Sequence, residues 1–147
     1  MEPNIHINWV AIVVAVVANF IFGAIWYMPL FGKAWAKEMK MDMTVKPPPS
    51  VMYRGMAIMV IGNFLMAYVF AHNIAVWNPV TWGQPAAASW GMEVACMAAF
   101  FTWLGFYLPQ DLGRIAWEKS SGKLFFINTA YHFLSLLIAG SILVMMA

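Results

Sequence analysis

Charged residues are scarce in this sequence, and cysteine is almost absent. Of 147 residues, 10% are Asp, Glu, Lys or Arg and 63% are hydrophobic. A soluble domain has about 25% charged and about 45–50% apolar residues, so this composition excludes a soluble domain and a disordered chain. The single cysteine, Cys96, excludes a disulfide-rich scaffold. The net charge of +2 is too small to indicate nucleic acid as a partner.

Four long stretches contain no Asp, Glu, Lys or Arg: residues 3–32, 55–92, 94–110 and 124–147. A helix needs about 20 apolar residues to cross roughly 30 Å of hydrocarbon. We therefore predict an all-α integral membrane bundle, a single domain of four transmembrane helices at residues 7–28, 53–76, 86–108 and 124–146. The eight prolines fall at or between the ends of these segments, as expected when proline inside a helix costs about 3 kcal/mol.

The basic residues predict the orientation of the chain. All eight lie within residues 33–54 and 111–123, and none lies in the second connection, residues 77–85. The positive-inside rule therefore predicts a multi-pass protein with loops 1 and 3 in the cytoplasm and both termini outside. In the first loop, the lysines at 33, 37 and 40 follow helical spacing. This spacing suits a short interfacial helix over residues 33–43 as well as a solvated basic loop.

The ends of spans one and three are similar. The first reads Trp-Tyr-Met-Pro at residues 26–29, then Gly-Lys-Ala-Trp; the third reads Phe-Tyr-Leu-Pro at residues 106–109, then Gly-Arg-Ile-Ala-Trp. The following spans each contain an Asn, at 63 and 128, and then a Tyr. We favour an internal duplication of residues 1–76 and 77–147, which gives two parallel two-helix repeats. Independent use of the same interfacial residue types is the alternative.

Polar side chains inside the predicted spans are the candidate binding residues, because ionisable groups in a membrane indicate function by default. Glu93 is the only charged residue deep within a predicted span, about 10 Å from the outer interface at 1.5 Å per residue. The further candidates are Asn19, Asn63, His72, Asn128 and His132. For His132 and the asparagines, the alternative role is interhelical hydrogen bonding; for His72 it is an interfacial position.

Three segments resemble a known bacterial family: INW at residues 7–9, WYMPLFGKAW at 26–35 and NTAYHFLSLLIAGSIL at 128–143. Over nearly the whole chain, the sequence is similar to the family catalogued as domain of unknown function 1761, small proteins with four spans. The residues that match its motifs are Trp26, Tyr27, Pro29, Gly32, Lys33, Trp35, Asn128, Tyr131 and His132. The resemblance implies an integral protein of the bacterial cytoplasmic membrane, and it brings no activity.

No motif in the sequence indicates catalysis, a metal site or a cofactor. The three histidines lie in different segments, and no phosphate loop, Ser-His-Asp set or Cys-x-x-Cys pair is present. We expect a non-enzymatic binding or transport unit that forms a homo-oligomer in the lipid bilayer and uses Glu93 and His132. One alternative is a non-catalytic accessory or structural subunit of a larger membrane protein complex. Another is a lipid- or quinone-modifying enzyme.

Overall fold

The computed structural model describes residues 2–147, and within this range the chain is helical with no strand. In chain order the α-helices are α1 (Trp9–Ile25), α2 (Gly32–Glu38), α3 (Pro49–Trp77), α4 (Met92–Thr102), α5 (Leu108–Glu118) and α6 (Gly122–Met145). A π-helical segment follows α1 at Trp26–Leu30 and another follows α4 at Trp103–Tyr107, while a 3-10 turn covers Pro79–Trp82. The predicted all-α fold is confirmed.

Four helical stretches are long and apolar enough to cross a membrane, and we call them spans one to four: Trp9–Leu30, Pro49–Trp77, Met92–Glu118 and Gly122–Met145. The prediction of four such helices is therefore confirmed. The connections that carry the Lys and Arg residues meet at one end of the bundle, the basic end. Both ends of the chain meet at the other, the terminal end, where Asn8 donates through Nδ2 to the carbonyl oxygen of Met146.

Span three lies later in the sequence than predicted, at Met92–Glu118 instead of residues 86–108. Pro85 and Gly91 keep the residues before Met92 out of the helix. At the other end, the π-helical segment changes the hydrogen-bond register, so Pro109 falls in the first turn of α5, where its missing N–H costs little. The helix therefore continues past the proline that predicts its end.

The central helix of the bundle is α6. Half of the residues in the most apolar stretch of span four are buried, compared with 11% in that of span three. It packs against α1 on one side and α4 on the other, while α3 packs mainly against α1. Small residues allow the close approach of α4 and α6: Ala95 and Ala99 are fully buried, and Gly140 faces the carbonyl oxygen of Ala95.

The first half of α3, which forms span two, packs against no other helix. Every side chain in its first half, residues 49–62, is exposed, and burial begins at Asn63. In a duplicated bundle, the pair α3 and α4 would be equivalent to the pair α6 and α1. In the structure α1 and α6 pack closely, whereas α3 and α4 do not. In span one and in span three alike, a π-helical segment is followed by a short helix. The duplication itself stays a prediction.

A hydrogen bond joins the two connections at the basic end. The Ser121 hydroxyl, at the start of α6, donates to Oε2 of Glu38 at 2.5 Å. The predicted interfacial helix over residues 33–43 is shorter in the structure, because α2 ends at Glu38 and Lys40 has a positive φ of 55°. This connection therefore contacts α6 through α2 and Glu38, and the residues after Lys40 are exposed.

Replacing Gly140 by Val tests whether the α4–α6 contact stabilises the bundle. A Cβ at this position would lie 3.1 Å from the ring of Phe70 and 3.3 Å from the carbonyl oxygen of Ala95. Overpacking costs about 1–3 kcal/mol, so we expect G140V to lower the free energy of unfolding in mixed micelles by about that amount. The matched control is Gly55→Val, where a Cβ meets nothing within 4 Å. Equal stability of the two variants would contradict this packing.

Candidate functional site

A carboxylate and an imidazole meet where spans three and four pack together. Oδ2 of Asp111, on α5, lies 2.8 Å from Nδ1 of His132, on α6. The Asp111 side chain is 4% exposed and the His132 side chain 23%, so the carboxylate is enclosed while the imidazole stays accessible. An ionised carboxylate only accepts hydrogen bonds. Nδ1 of His132 is the donor when this carboxylate is ionised, and in a neutral imidazole Nε2 then carries the lone pair.

Asp111 reaches His132 because α5 continues span three beyond its π-helical segment. Residues Leu112 and Ile115 are 49% and 38% exposed, while Asp111 is buried. The exposed side chains of α5 also include Gln110, Arg114 and Glu118, so its outer side is mixed in character. The aspartate is thus presented to α6 rather than to solvent.

Three tyrosines surround the pair, and we call Tyr27, Tyr107 and Tyr131 the tyrosine cluster. The ring centroid of Tyr107 lies 5.0 Å from that of His132, and the Tyr131 centroid lies 5.9 Å from it. The Tyr27 and Tyr131 centroids are 5.0 Å apart, and the Tyr27 hydroxyl donates to Oδ1 of Asn128 at 2.9 Å. Spans one, three and four therefore each contribute side chains to one site.

Two tryptophans attach the π-helical segments to α6 beside this site. Nε1 of Trp26 donates to the carbonyl oxygen of Ile127, and Nε1 of Trp103 donates to that of Thr129, both at 3.1 Å. These two carbonyls flank Asn128 in sequence. Spans one and three are therefore anchored to the same turn of α6.

The remaining motif residues support the position of Tyr27. Pro29 lies inside the π-helical segment, and the ring of Trp35 contacts that of Tyr27 with centroids 5.7 Å apart. A Cβ on Gly32 would lie 2.8 Å from the Tyr27 carbonyl oxygen, so only glycine fits without a shift of the backbone. Lys33 is exposed and contacts none of these groups.

Glu93 is not part of this site. It lies in the first turn of α4, is exposed, and makes no hydrogen bond or ion pair with any of residues 2–147. The helical path from Glu93 to Asp111 is roughly 27 Å long at 1.5 Å per residue. Because span three starts at Met92, Glu93 lies at the start of the helix and not about 10 Å inside the span, as its predicted depth required. The carboxylate that meets His132 is Asp111.

The other candidate residues make contacts of a structural kind. Asn19 is fully buried and donates through Nδ2 to the carbonyl oxygen of Ser135 at 3.1 Å, which is an interhelical hydrogen bond, as is the one that Asn128 accepts from Tyr27. Asn63 is buried, but its Nδ2 has no partner within residues 2–147. His72 donates through Nδ1 to a carbonyl oxygen of its own helix at 2.8 Å and does not contact the site.

Asp111 and Tyr107 are absent from the sequence-predicted binding residues. Pro109 indicates the end of a helix, which assigns Asp111 to a loop together with the basic residues. Residues 108–118 nevertheless contain a signal, because the polar side chains at 110, 111, 114 and 118 recur at helical spacing. That pattern predicts an amphipathic continuation of span three.

The site offers hydrogen-bonding groups rather than a set of metal ligands. Asp111 and His132 are two ligands at most, and within residues 2–147 no group of three His, Cys, Asp or Glu side chains is placed to hold a metal ion. The carboxylate, the imidazole and the tyrosine hydroxyls can instead bind and exchange a proton.

The protein is thus an all-helical bundle with four helices that are long and apolar enough to cross a membrane, and an Asp–His pair lies between two of them. Residues 10–144 match the model of the family described as "Protein of unknown function (DUF1761)", and the chain belongs to this family. The resemblance predicted from the sequence is therefore confirmed. No curated protein and no solved structure matches the chain.

A double-mutant cycle on Tyr27 and Asn128 tests the contact between span one and span four. Tyr27→Phe removes the hydroxyl that donates to Oδ1 of Asn128, and Asn128→Ala removes the acceptor. We expect a coupling energy of about 0.5–1.5 kcal/mol in unfolding measurements, because one buried hydrogen bond contributes about that much. Tyr53→Phe is the control, since Tyr53 is 70% exposed. A coupling energy of zero would contradict the contact.

Proposed function

We propose that this protein is a proton-binding transport unit whose functional group is the Asp111–His132 pair. The observation that carries the proposal is the 2.8 Å contact between an enclosed carboxylate and an accessible imidazole. Within residues 2–147, no Lys or Arg forms an ion pair with Asp111. An enclosed charge is costly unless it is paired, and in a membrane span such a charge is a functional hypothesis by default.

The chemistry of the pair suits the uptake and release of a proton. With Asp111 ionised, His132 is held in the tautomer that carries its proton on Nδ1, so Nε2 can accept a second proton from water. The imidazolium that forms stays paired with the carboxylate. The hydroxyl of Tyr107, whose ring contacts His132, is the neighbouring group that can pass a proton on.

The basic end of the bundle indicates the side of the membrane from which protons reach His132 in this proposal. All eight Lys and Arg residues lie there, so the positive-inside rule favours the cytoplasmic side of the inner membrane. Loops 1 and 3 are then cytoplasmic, both termini lie outside, and His132 exchanges its proton with the cytoplasm.

We further propose that several copies assemble. Because α6 fills the centre of the bundle, one copy leaves little room for a path across the membrane. The exposed first half of α3, residues 49–62, is a surface that a second copy can cover. The proposed unit has no catalytic residue and no cofactor, and its other partner is the lipid bilayer.

Proton flux into liposomes tests the proposal. Full-length protein is reconstituted with an entrapped pH-sensitive dye, and a potassium diffusion potential drives protons inward. We expect wild-type protein to acidify the lumen faster than protein-free liposomes do. Asp111→Asn should reduce the rate at least tenfold, because a neutral amide does not stabilise the imidazolium of His132. Glu93→Gln is the matched control and should leave the rate unchanged, since Glu93 lies outside the site.

Three results would contradict the proposal. Wild-type flux equal to that of empty liposomes would exclude proton transport and favour the accessory-subunit alternative. Flux that survives Asp111→Asn but not Glu93→Gln would make Glu93 the functional carboxylate. Flux that survives His132→Gln in folded protein, judged by circular dichroism, would show that the imidazole takes no part.

A further inference from the structure

The basic end of the bundle carries more positive charge than its own carboxylates balance. All eight Lys and Arg residues lie within residues 33–54 and 111–123, together with four of the six Asp and Glu residues. All eight basic side chains are exposed, and within residues 2–147 none of them forms an ion pair. Eight positive and four negative charges leave a surplus of four positive charges at this end.

Three of the four carboxylates at this end are occupied by hydrogen bonds from other side chains. The acceptor and donor pairs are Glu38 with Ser121, Asp42 with Thr44 and Asp111 with His132. Within residues 2–147, Glu118 has no such partner, and it lies exposed at the end of α5. The basic side chains, which are exposed and unpaired, are therefore available to an anion from outside the chain.

The hydrogen bond between Glu38 and Ser121 brings three lysines together. It joins the end of α2 to the start of α6, with Oγ of Ser121 2.5 Å from Oε2 of Glu38. Lys37 precedes Glu38, and Lys119 and Lys123 each lie two residues from Ser121. We call Lys37, Lys119 and Lys123 the basic junction. Its three ammonium groups lie near one carboxylate, which Ser121 already engages.

Exposed aromatic rings lie beside the basic junction. Trp117, two residues before Lys119, is 89% exposed, and Phe126, one turn after Lys123 on α6, is 69% exposed. Aromatic and basic side chains are both typical of the level of lipid head groups. A phospholipid can contact both kinds of side chain, through its phosphate and through its glycerol and acyl chains. A free phosphate can use the lysines alone.

The position of the basic junction along the helices matches the level of lipid phosphates. Lys119 is the residue after span three, Met92–Glu118, and Lys123 is the second residue of span four, Gly122–Met145. In a bilayer that these helices cross, the phosphates lie just beyond the hydrocarbon. Basic groups at this level attract anionic lipids.

We propose that the basic junction binds the phosphate of an anionic phospholipid, with Trp117 and Phe126 against its glycerol and acyl chains. The lipid supplies a negative charge to lysines that have no ion pair within residues 2–147. Its phosphate joins α2 to the connection between spans three and four, beside the hydrogen bond that already links them. This site is distinct from the Asp111–His132 pair, and its test does not depend on proton transport.

Lipid binding by full-length protein in dodecyl maltoside micelles tests the proposal. The protein is titrated with dioleoylphosphatidylglycerol, and native mass spectrometry counts the bound lipids. We expect one such lipid to bind at least tenfold more tightly than dioleoylphosphatidylcholine, which has the same chains and a head group without net charge. The preference should fall as the ionic strength rises, because salt screens exposed charges.

Two double variants with the same loss of charge locate the site. Lys119→Gln with Lys123→Gln should weaken binding of the phosphatidylglycerol at least tenfold, because each basic residue near an anionic surface contributes about fivefold. Lys46→Gln with Arg54→Gln is the matched control. It removes two exposed basic groups from the same end but outside the basic junction, so we expect less than a twofold change.

The aromatic contact separates a lipid from a soluble anion. Trp117→Ala removes an exposed ring without changing the charge, and we expect it to weaken binding of the phosphatidylglycerol at least threefold. Inorganic phosphate, which has no acyl chain, should not displace the bound lipid at millimolar concentration.

Each contrary result has a distinct meaning. Equal affinity for the two lipids would overturn the preference for an anionic head group. An equal loss of affinity in the two double variants would show diffuse attraction by the whole basic end and overturn the basic junction as the site. Displacement by inorganic phosphate, with no effect of Trp117→Ala, would show that the lysines bind a soluble anion instead of a lipid.

Discussion

The attachment of two helices to one turn of α6 determines most of this structure. In lipid there is no hydrophobic force to drive helices together, so close packing and hydrogen bonds must do so. Trp26 and Trp103 donate to carbonyl oxygens that flank Asn128, and Ala95 packs against the same helix nearer the terminal end. Once spans one and three are fixed on the two sides of α6, the tyrosine cluster is brought together between them.

The π-helical segment of span three decides which carboxylate reaches His132. A π turn contains an extra residue, so it rotates everything that follows by roughly 100° relative to an uninterrupted α-helix. Behind Trp103–Tyr107, this rotation accommodates Pro109 and turns Asp111 toward α6. The same helix therefore exposes Leu112 and presents a carboxyl group to the interior. The continuation of span three and the Asp111–His132 contact both depend on this π-helical segment.

Sequence patterns were sufficient for the parts of the fold that depend on composition alone. Charge-free runs predict four spans, and the position of His132 on α6 follows from periodicity. The π-helical segments have no such signature, because they differ from an α-helix by a hydrogen-bond register and not by residue type. Without them, Pro109 indicates a helix end, Asp111 falls in a loop, and Glu93 becomes the only deep charge. The π-helical segment thus explains why Asp111 is missed, whereas the depth of Glu93 is misjudged because Pro85 and Gly91 delay the start of the helix.

The most direct test of this account is the distance between the two side chains in a bilayer. The chain has two aspartates and three histidines, so carbon-labelled Asp and nitrogen-labelled His give few signals in solid-state NMR. The account predicts a strong dipolar coupling between the Asp111 carboxyl carbon and Nδ1 of His132, at about 4 Å for a hydrogen-bonded pair. That coupling should vanish in His132→Gln. A spectrum of the folded wild-type protein with no Asp–His coupling would contradict the central claim.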